Sequence, residues 1–189
     1  GVLRRSNSFV CIAGSTHEGE EEILFDAYKD VKARFPYFQL LIAPRHLERL
    51  GSIENKAAKK EVSLRRVSSL SKESGPREAV LVLDRIGVLA RAYELADVVF
   101  VGGSLVPSGG HNLVEPAFSE KPILFGPYMN NFKEMAEEFK KAEAALEVKD
   151  PAEFGSVLLS LVEDAGRRAA LGSAAKKLVL KHQGATVRN

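Results

Sequence analysis

Cysteine occurs once in the 189 residues, at position 11. No internal disulfide can form, which excludes a disulfide-stapled secreted scaffold. Histidine occurs four times and is widely scattered, so a structural zinc cluster is not expected. Charge of one sign is also scarce. The 27 Lys and Arg residues against 25 Asp and Glu leave a formal charge of +2, which makes no electrostatic case for nucleic acid. No apolar run nears the roughly 20 residues that span a bilayer, and the first residues lack the charged-then-apolar layout of a signal peptide. What is present is globular: 45% hydrophobic and 28% charged residues argue against disorder. The length sits between one large domain and two small ones. The expectation is a soluble domain of a reducing compartment.

Short apolar runs punctuate the chain. Phe9–Gly14, Phe38–Ala43, Ala79–Leu83, Asp97–Val101 and Pro122–Phe125 read as buried strands, Val62–Val67 as a weaker one and Ala144–Val148 as a marginal one. Between them the spacing predicts helices: one carrying Ile23, Leu24, Ala27, Tyr28 and Val31 and closed by Pro36, one started by Pro44 and running through His46 to Lys60, one over Ile86–Leu95, one from Asn112, and one over Asn131–Lys141. Asp150-Pro151 opens a helical tail broken near Asp164–Gly166. The acidic run Glu18, Glu20, Glu21, Glu22 falls in a first helical turn, where the dipole favours it. Ser68–Arg77 is polar and reads as a loop. Strand and helix alternate with short connections, which predicts an α/β fold with a doubly wound parallel sheet. Ligands of such sheets bind outside the carboxyl ends of the strands.

The loops at those ends hold the chemistry. Gly14 to Gly19 carries Ser15, Thr16, His17 and Glu18. It matches neither G-x-G-x-x-G nor G-x-x-x-x-G-K-S/T, and His17-Glu18 is not H-E-x-x-H because position 21 is Glu. Its backbone can approach a ligand while the next helix offers N–H groups to an anion; alternatively Ser15 or Thr16 is only a helix cap. Arg45 opens a predicted helix, where the dipole gives a cation nothing, so a phosphate or carboxylate is a natural partner for its fork; a surface ion pair is the plainer reading. Asn112 and Glu115 are spaced as a capping box, or Glu115 accepts hydrogen bonds from two sugar hydroxyls. His111 is a ligand donor or a loop histidine. Asp84 and Cys11 look structural.

Taken together, the ordered motifs resemble one family. Ser15-Thr16-His17-Glu18-Gly19-Glu20-Glu21, Pro44-Arg45-His46, Ala96-Asp97, Phe100-Val101-Gly102-Gly103-Ser104-Leu105-Val106, Gly109-Gly110-His111-Asn112, Glu115, Gly126-Pro127 and Asn131-Phe132 are similar to 3-deoxy-D-manno-octulosonic acid (Kdo) transferase. The resemblance extends from about Phe9 to Gln183-Gly184-Ala185.

The resemblance implies a GT-B glycosyltransferase, two Rossmann-like domains across a cleft, that moves Kdo from CMP-Kdo to a lipid A precursor in lipopolysaccharide synthesis. Residues 1–189 would form one Rossmann-like CMP-Kdo binding domain, the C-terminal half. The N-terminal acceptor domain would lie elsewhere, with the catalytic base and the membrane-associating segment, so no catalytic residue is expected here. The full-length protein would sit at the cytoplasmic face of the bacterial inner membrane, and the part in hand would be soluble, inactive alone, and free of nucleic acid. Pro44-Arg45, Ile86-Gly87-Val88 and Asn112-Leu113-Val114-Glu115 correspond to the CMP-binding segments; Ser15, Thr16, His17, Glu18, Gly103, Ser104 and His111 join them as expected substrate contacts. No Asp-x-Asp occurs, so neither metal nor cofactor is expected. Two positions depart from the family: Val88 where Glu is common, and Tyr128 where His is common. The alternatives are a UDP-sugar donor domain of another GT-B enzyme and a nucleotide-binding or interaction domain without chemistry.

Overall fold

The structure is a computed structural model and describes residues 8–70 and 79–186, with no side-chain description beyond residue 183. The predicted strands are all present: β1 (Phe9–Thr16), β2 (Phe38–Pro44), β3 (Leu64–Arg66), β4 (Val80–Val82), β5 (Val98–Val101), β6 (Ile123–Phe125) and β7 (Leu146–Glu147). They form one all-parallel sheet in the order β3-β4-β2-β1-β5-β6-β7. The chain winds outward from β1 on one side and then returns to its other side at β5. The switch point therefore lies between β1 and β5, where open sheets of this kind leave a crevice.

Both faces of the sheet are covered, which explains why the inner strands are largely apolar rather than alternating; the edge strands β3 (Leu-Arg-Arg) and β7 (Leu-Glu) are only partly buried. Side chains of successive strand residues point to opposite faces. Cys11, Ala13, Val98 and Phe100 enter one core with α1 (Glu20–Arg34), α2 (Leu50–Lys59) and α6 (Phe154–Glu163). Val10, Ile12, Val99 and Val101 enter the other, with α3 (Leu89–Tyr93), α4 (Val114–Phe118), α5 (Lys133–Lys141) and α7 (Ala165–Thr186). Cys11 is wholly buried, and burial, with Asp97 beside it, pushes its thiol up to about 12. The tail breaks as predicted: Asp164 accepts the Arg167 N–H at 2.8 Å, capping α7. Among the described residues no helix is long and apolar enough to cross a membrane.

Several predicted boundaries move, and one predicted cap does not form. Pro44 ends β2 instead of starting a helix; a 3-10 turn (Leu47–Arg49) intervenes before α2. The spacing of Ile86–Leu95 yields only the five residues of α3, because Ile86 and Gly87 remain in the loop, Gly87 with a φ of 80°. The capping box does not form: Asn112 Oδ1 accepts the Val114 N–H at 2.8 Å, and among the described residues Glu115 makes no hydrogen bond or ion pair. Part of the predicted loop Ser68–Arg77, from residue 71 on, lies outside the described residues.

Candidate functional site: a cleft at the carboxyl edge of the sheet

The carboxyl end of β1 is irregular. Ser15 adopts a left-handed φ of 56°, and the pairing with β2 slips between Gly14 and Thr16. Such a bulge bends the strand end and re-aims the residues after it. The end of β5 passes close behind it: a Cβ on Gly102 would stand 2.5 Å from the Ser15 carbonyl oxygen, so no larger residue fits there.

What ties the two strand ends together is Glu20. Its carboxylate is fully buried and accepts four backbone N–H groups: His17 at 2.8 Å, Gly103 at 2.8 Å, Ser104 at 3.0 Å and Leu105 at 2.9 Å. Gly103 reaches this arrangement with a φ of 67°, in the region glycine occupies without cost. Burial raises the Glu20 carboxyl above its usual value, against four donors that favour the anion. Beside it, the buried Glu21 carboxylate takes a bidentate pair from Arg49 at 3.0 and 2.9 Å and the Thr16 hydroxyl at 3.0 Å. The first-turn acidic run is therefore an internal clamp as well as a dipole partner. The anion seated in this turn is the chain's own carboxylate.

Against this clamp lies an open cleft of about 340 Å³. Of the expected contacts it gathers Ser15, Pro44, Arg45, Ile86, Gly87 and Glu115. Arg45 and Glu115 are exposed and, with Arg85, line its wall. Neither Arg45 nor Arg85 makes a side-chain hydrogen bond or ion pair among the described residues. Ile86 stands 87% exposed at the same wall. The cleft thus joins two guanidinium groups and one carboxylate, none of them paired among the described residues, with an apolar surface. A phosphate, paired hydroxyls and a flat ring are what those groups bind.

A second group of expected contacts meets next to the cleft. His17 Nε2 and His111 Nε2 are 2.9 Å apart, their rings stacked at 5.1 Å. His46 presents an edge to His17 at 6.0 Å. A Cβ on Gly103 would lie 3.1 Å from the His17 ring. Burial lowers the His17 imidazole below its ordinary value, helped by His46, Arg49 and Arg45. It lowers His111 to about 4, helped by His17, Arg45 and His46. Among the described residues no three His, Cys, Asp or Glu side chains form a metal-binding group.

The remaining expected contacts lie elsewhere. The Thr16 and Ser104 side chains are buried; Thr16 donates to Glu21, and Ser104 Oγ donates to the Val101 carbonyl at 2.5 Å and accepts the Gly126 N–H at 2.8 Å. Both hold loops in place. Leu113 is wholly buried in the core. Glu18 pairs with Lys56 of α2 at 3.6 Å. Val88 and Val114 pack against the core, and Asn112 caps Val114. Tyr128, at one of the departures from the family, is 41% exposed and outside the cleft lining. Arg85 was not anticipated, although its place in the Asp84–Gly87 loop after β4 was the available signal. Arg49 gave no signal beyond its charge, and Glu20 and Glu21 none beyond their charge and their place in the family-like motif.

No protein-family profile matches the chain. The chain is 38% identical over 146 residues to a bifunctional glycosyltransferase/methyltransferase of Fusobacterium nucleatum, covering 77% of this chain and 22% of that protein. It is 32% identical over 188 residues to the 3-deoxy-D-manno-octulosonic acid transferase of Haemophilus influenzae, covering 99% of this chain and 44% of that protein. The chain thus spans less than half the length of these relatives. Among solved structures, the C-terminal CMP-Kdo binding domain of WaaA from Acinetobacter baumannii superposes with a TM-score of 0.84 at 28% identity, covering 92% of this chain and 90% of that one. The ordered strand-end motifs, the sheet order and these matches agree: the chain belongs to the 3-deoxy-D-manno-octulosonic acid transferase family and corresponds to its C-terminal domain.

Proposed function

We propose that this chain is the donor-binding domain of a glycosyltransferase that moves Kdo from CMP-Kdo to a lipid A precursor in lipopolysaccharide synthesis. The observation that carries the reading is the cleft itself, in which Arg45 and Arg85, without ion-pair partners among the described residues, stand with Glu115 and exposed Ile86. Arg45 and Arg85 would hold the CMP phosphate and stabilise it as it leaves. Charge-assisted contacts of this kind act where charge develops, without reorganisation. Glu115 would accept the ribose hydroxyls, and Ile86 would cover the base. The clamp on Glu20 keeps the strand ends fixed while this happens, which is the preorganisation that positioning needs. The acceptor domain, the base that activates the acceptor hydroxyl and the membrane contact would belong to the part of the protein outside this chain, at the cytoplasmic face of the inner membrane. With one wall of the cleft missing, transfer by this chain alone would be negligible.

Titration calorimetry with CMP, UMP and AMP tests the reading. CMP should bind preferentially, and weakly. Equal affinity for all three, or none at millimolar concentration, overturns it; a preference for UMP supports the UDP-sugar alternative. Arg45→Ala and Glu115→Gln should each weaken CMP by about 10- to 150-fold, the cost of one lost charge-assisted hydrogen bond.

A further inference from the structure

Three of the four histidines in the chain converge beside the cleft and outside its lining. They come from three separate segments: His17 comes after β1, His46 after β2, and His111 lies in the loop after β5. Nothing in the clamp uses their side chains. We propose that the His17–His111 pair, flanked by Arg45, is a proton-linked seat for the carboxylate of the donor sugar. This rests on the reading of the cleft as a CMP-Kdo site, and adds where the acidic sugar lies and how pH governs it.

The contact between the rings sets the proton count. Two Nε2 atoms at 2.9 Å share one hydrogen, so one ring donates and the other accepts through a bare Nε2. The accepting ring carries its proton on Nδ1; the donating ring has a bare Nδ1. That bare nitrogen can take a proton from solvent and leave the contact intact. A further proton would have to enter the contact and break it. The pair therefore holds one added positive charge and no more. Arg45, His46 and Arg49 lower the proton affinity of His17, with Glu21 opposing them, and His17, Arg45 and His46 do the same to His111. Arg49 is already matched by Glu21 at 2.9 Å, and His46 lies 3.4 Å from Glu48. Arg45 alone of the three has no ion-pair partner among the described residues. In the free protein the pair is thus neutral near pH 7. An anion arriving against it reverses the balance and draws the proton in.

Phosphate and carboxylate are both anions, and position separates them. The two arginines able to hold the phosphate, Arg45 and Arg85, line the nucleotide cleft; the imidazole pair lies outside that lining, with His17 two residues after Ser15 and His46, at its edge, next to Arg45 in the chain. Kdo is by name an acid and brings a second anionic group beyond the phosphate.

Calorimetry in buffers of different ionisation enthalpy counts the protons taken up on binding, with CMP and CMP-Kdo as the two probes at pH near 7. Uptake approaching a whole proton is expected with CMP-Kdo and little with CMP. His111→Gln and His17→Gln should each abolish the extra uptake and weaken CMP-Kdo about tenfold, with CMP affinity changed less than about twofold. In the unmutated chain, histidine NMR resonances should titrate at higher pH with CMP-Kdo bound than with CMP bound, a readout independent of any folding defect in the variants. Equal uptake with both probes would assign the pair to the phosphate and overturn the proposal. CMP binding without extra uptake for CMP-Kdo overturns it and leaves the nucleotide reading intact; failure of both probes to bind removes both.

Discussion

Arg45 and Arg49 stand four residues apart in the segment after β2 and are built in opposite ways. Arg49 is spent inside the molecule: its fork meets the buried Glu21 carboxylate, next to Glu20 with its four N–H donors. Arg45 is exposed on the cleft wall with Arg85, and neither has an ion-pair partner among the described residues. A charge desolvated within a fold must be matched there. A charge left unmatched at a concave, partly apolar wall is available to a ligand. The clamp side therefore sets the position of the strand ends, and the cleft side offers its groups to what binds between them.

The sharpest way to break this contrast is to cut the clamp. Arg49→Ala leaves the Glu21 carboxylate buried with one hydroxyl donor, and Glu20→Ala leaves four N–H groups, three of them in buried contacts, without their acceptor. Each should cost about 3–5 kcal/mol, read as a lower urea midpoint with unchanged slope. A loss under about 1 kcal/mol for either would show that the clamp is a surface-like contact. Next in size is the effect of pH. His17 and His111 bind protons less readily in the folded chain than unfolded, where an imidazole titrates near 6.5. Above that pH both states are neutral and the two contribute no slope. Below it the unfolded chain takes up protons the folded chain refuses, so stability falls as pH drops from about 6.5 towards 5. His111→Gln should flatten that slope in denaturation curves collected across the window. Smallest is the effect of the cleft residues on stability: Arg45→Ala, Arg85→Ala and Glu115→Gln should each shift it by no more than about 0.5 kcal/mol. A large drop in melting temperature for Glu115→Gln would instead assign that carboxylate a structural part.

The same contrast marks what the residue pattern reveals. The five inner strands are largely apolar because both faces are buried, and so they are plainly legible; the edge strands β3 and β7, Leu-Arg-Arg and Leu-Glu, are only partly buried and show in the sequence as weaker signals. The strand-end rule then collects Ser15, Arg45, Ile86, Gly87 and Glu115 at one edge. Helix limits are less legible where a loop borrows helical spacing, as at Ile86 and Gly87, or where a proline that can open a helix instead closes a strand, as at Pro44. The clamp is the least legible part. A run of glutamates after a glycine reads the same whether it faces water or the N–H groups of a loop more than 80 residues away in sequence, the separation of Glu20 from Gly103. Hydroxyls mislead in the same way: Thr16 and Ser104 look like ligand contacts in sequence and are buried loop fasteners in space.

Cys11 offers a practical consequence. It lies in the central strand, wholly buried, with a thiol that stays protonated at any ordinary pH. Thiolate is the reactive form, and a buried, protonated thiol is inert to disulfide reagents. Because no other cysteine exists in the chain, labelling by such a reagent can proceed only through molecules whose β1 has come away from β2 and β5. The labelling rate, measured as reagent is varied, then reports how often the middle of the sheet opens. No tag or engineered probe is needed, and ligands that bind the native cleft should slow that rate in proportion to their occupancy.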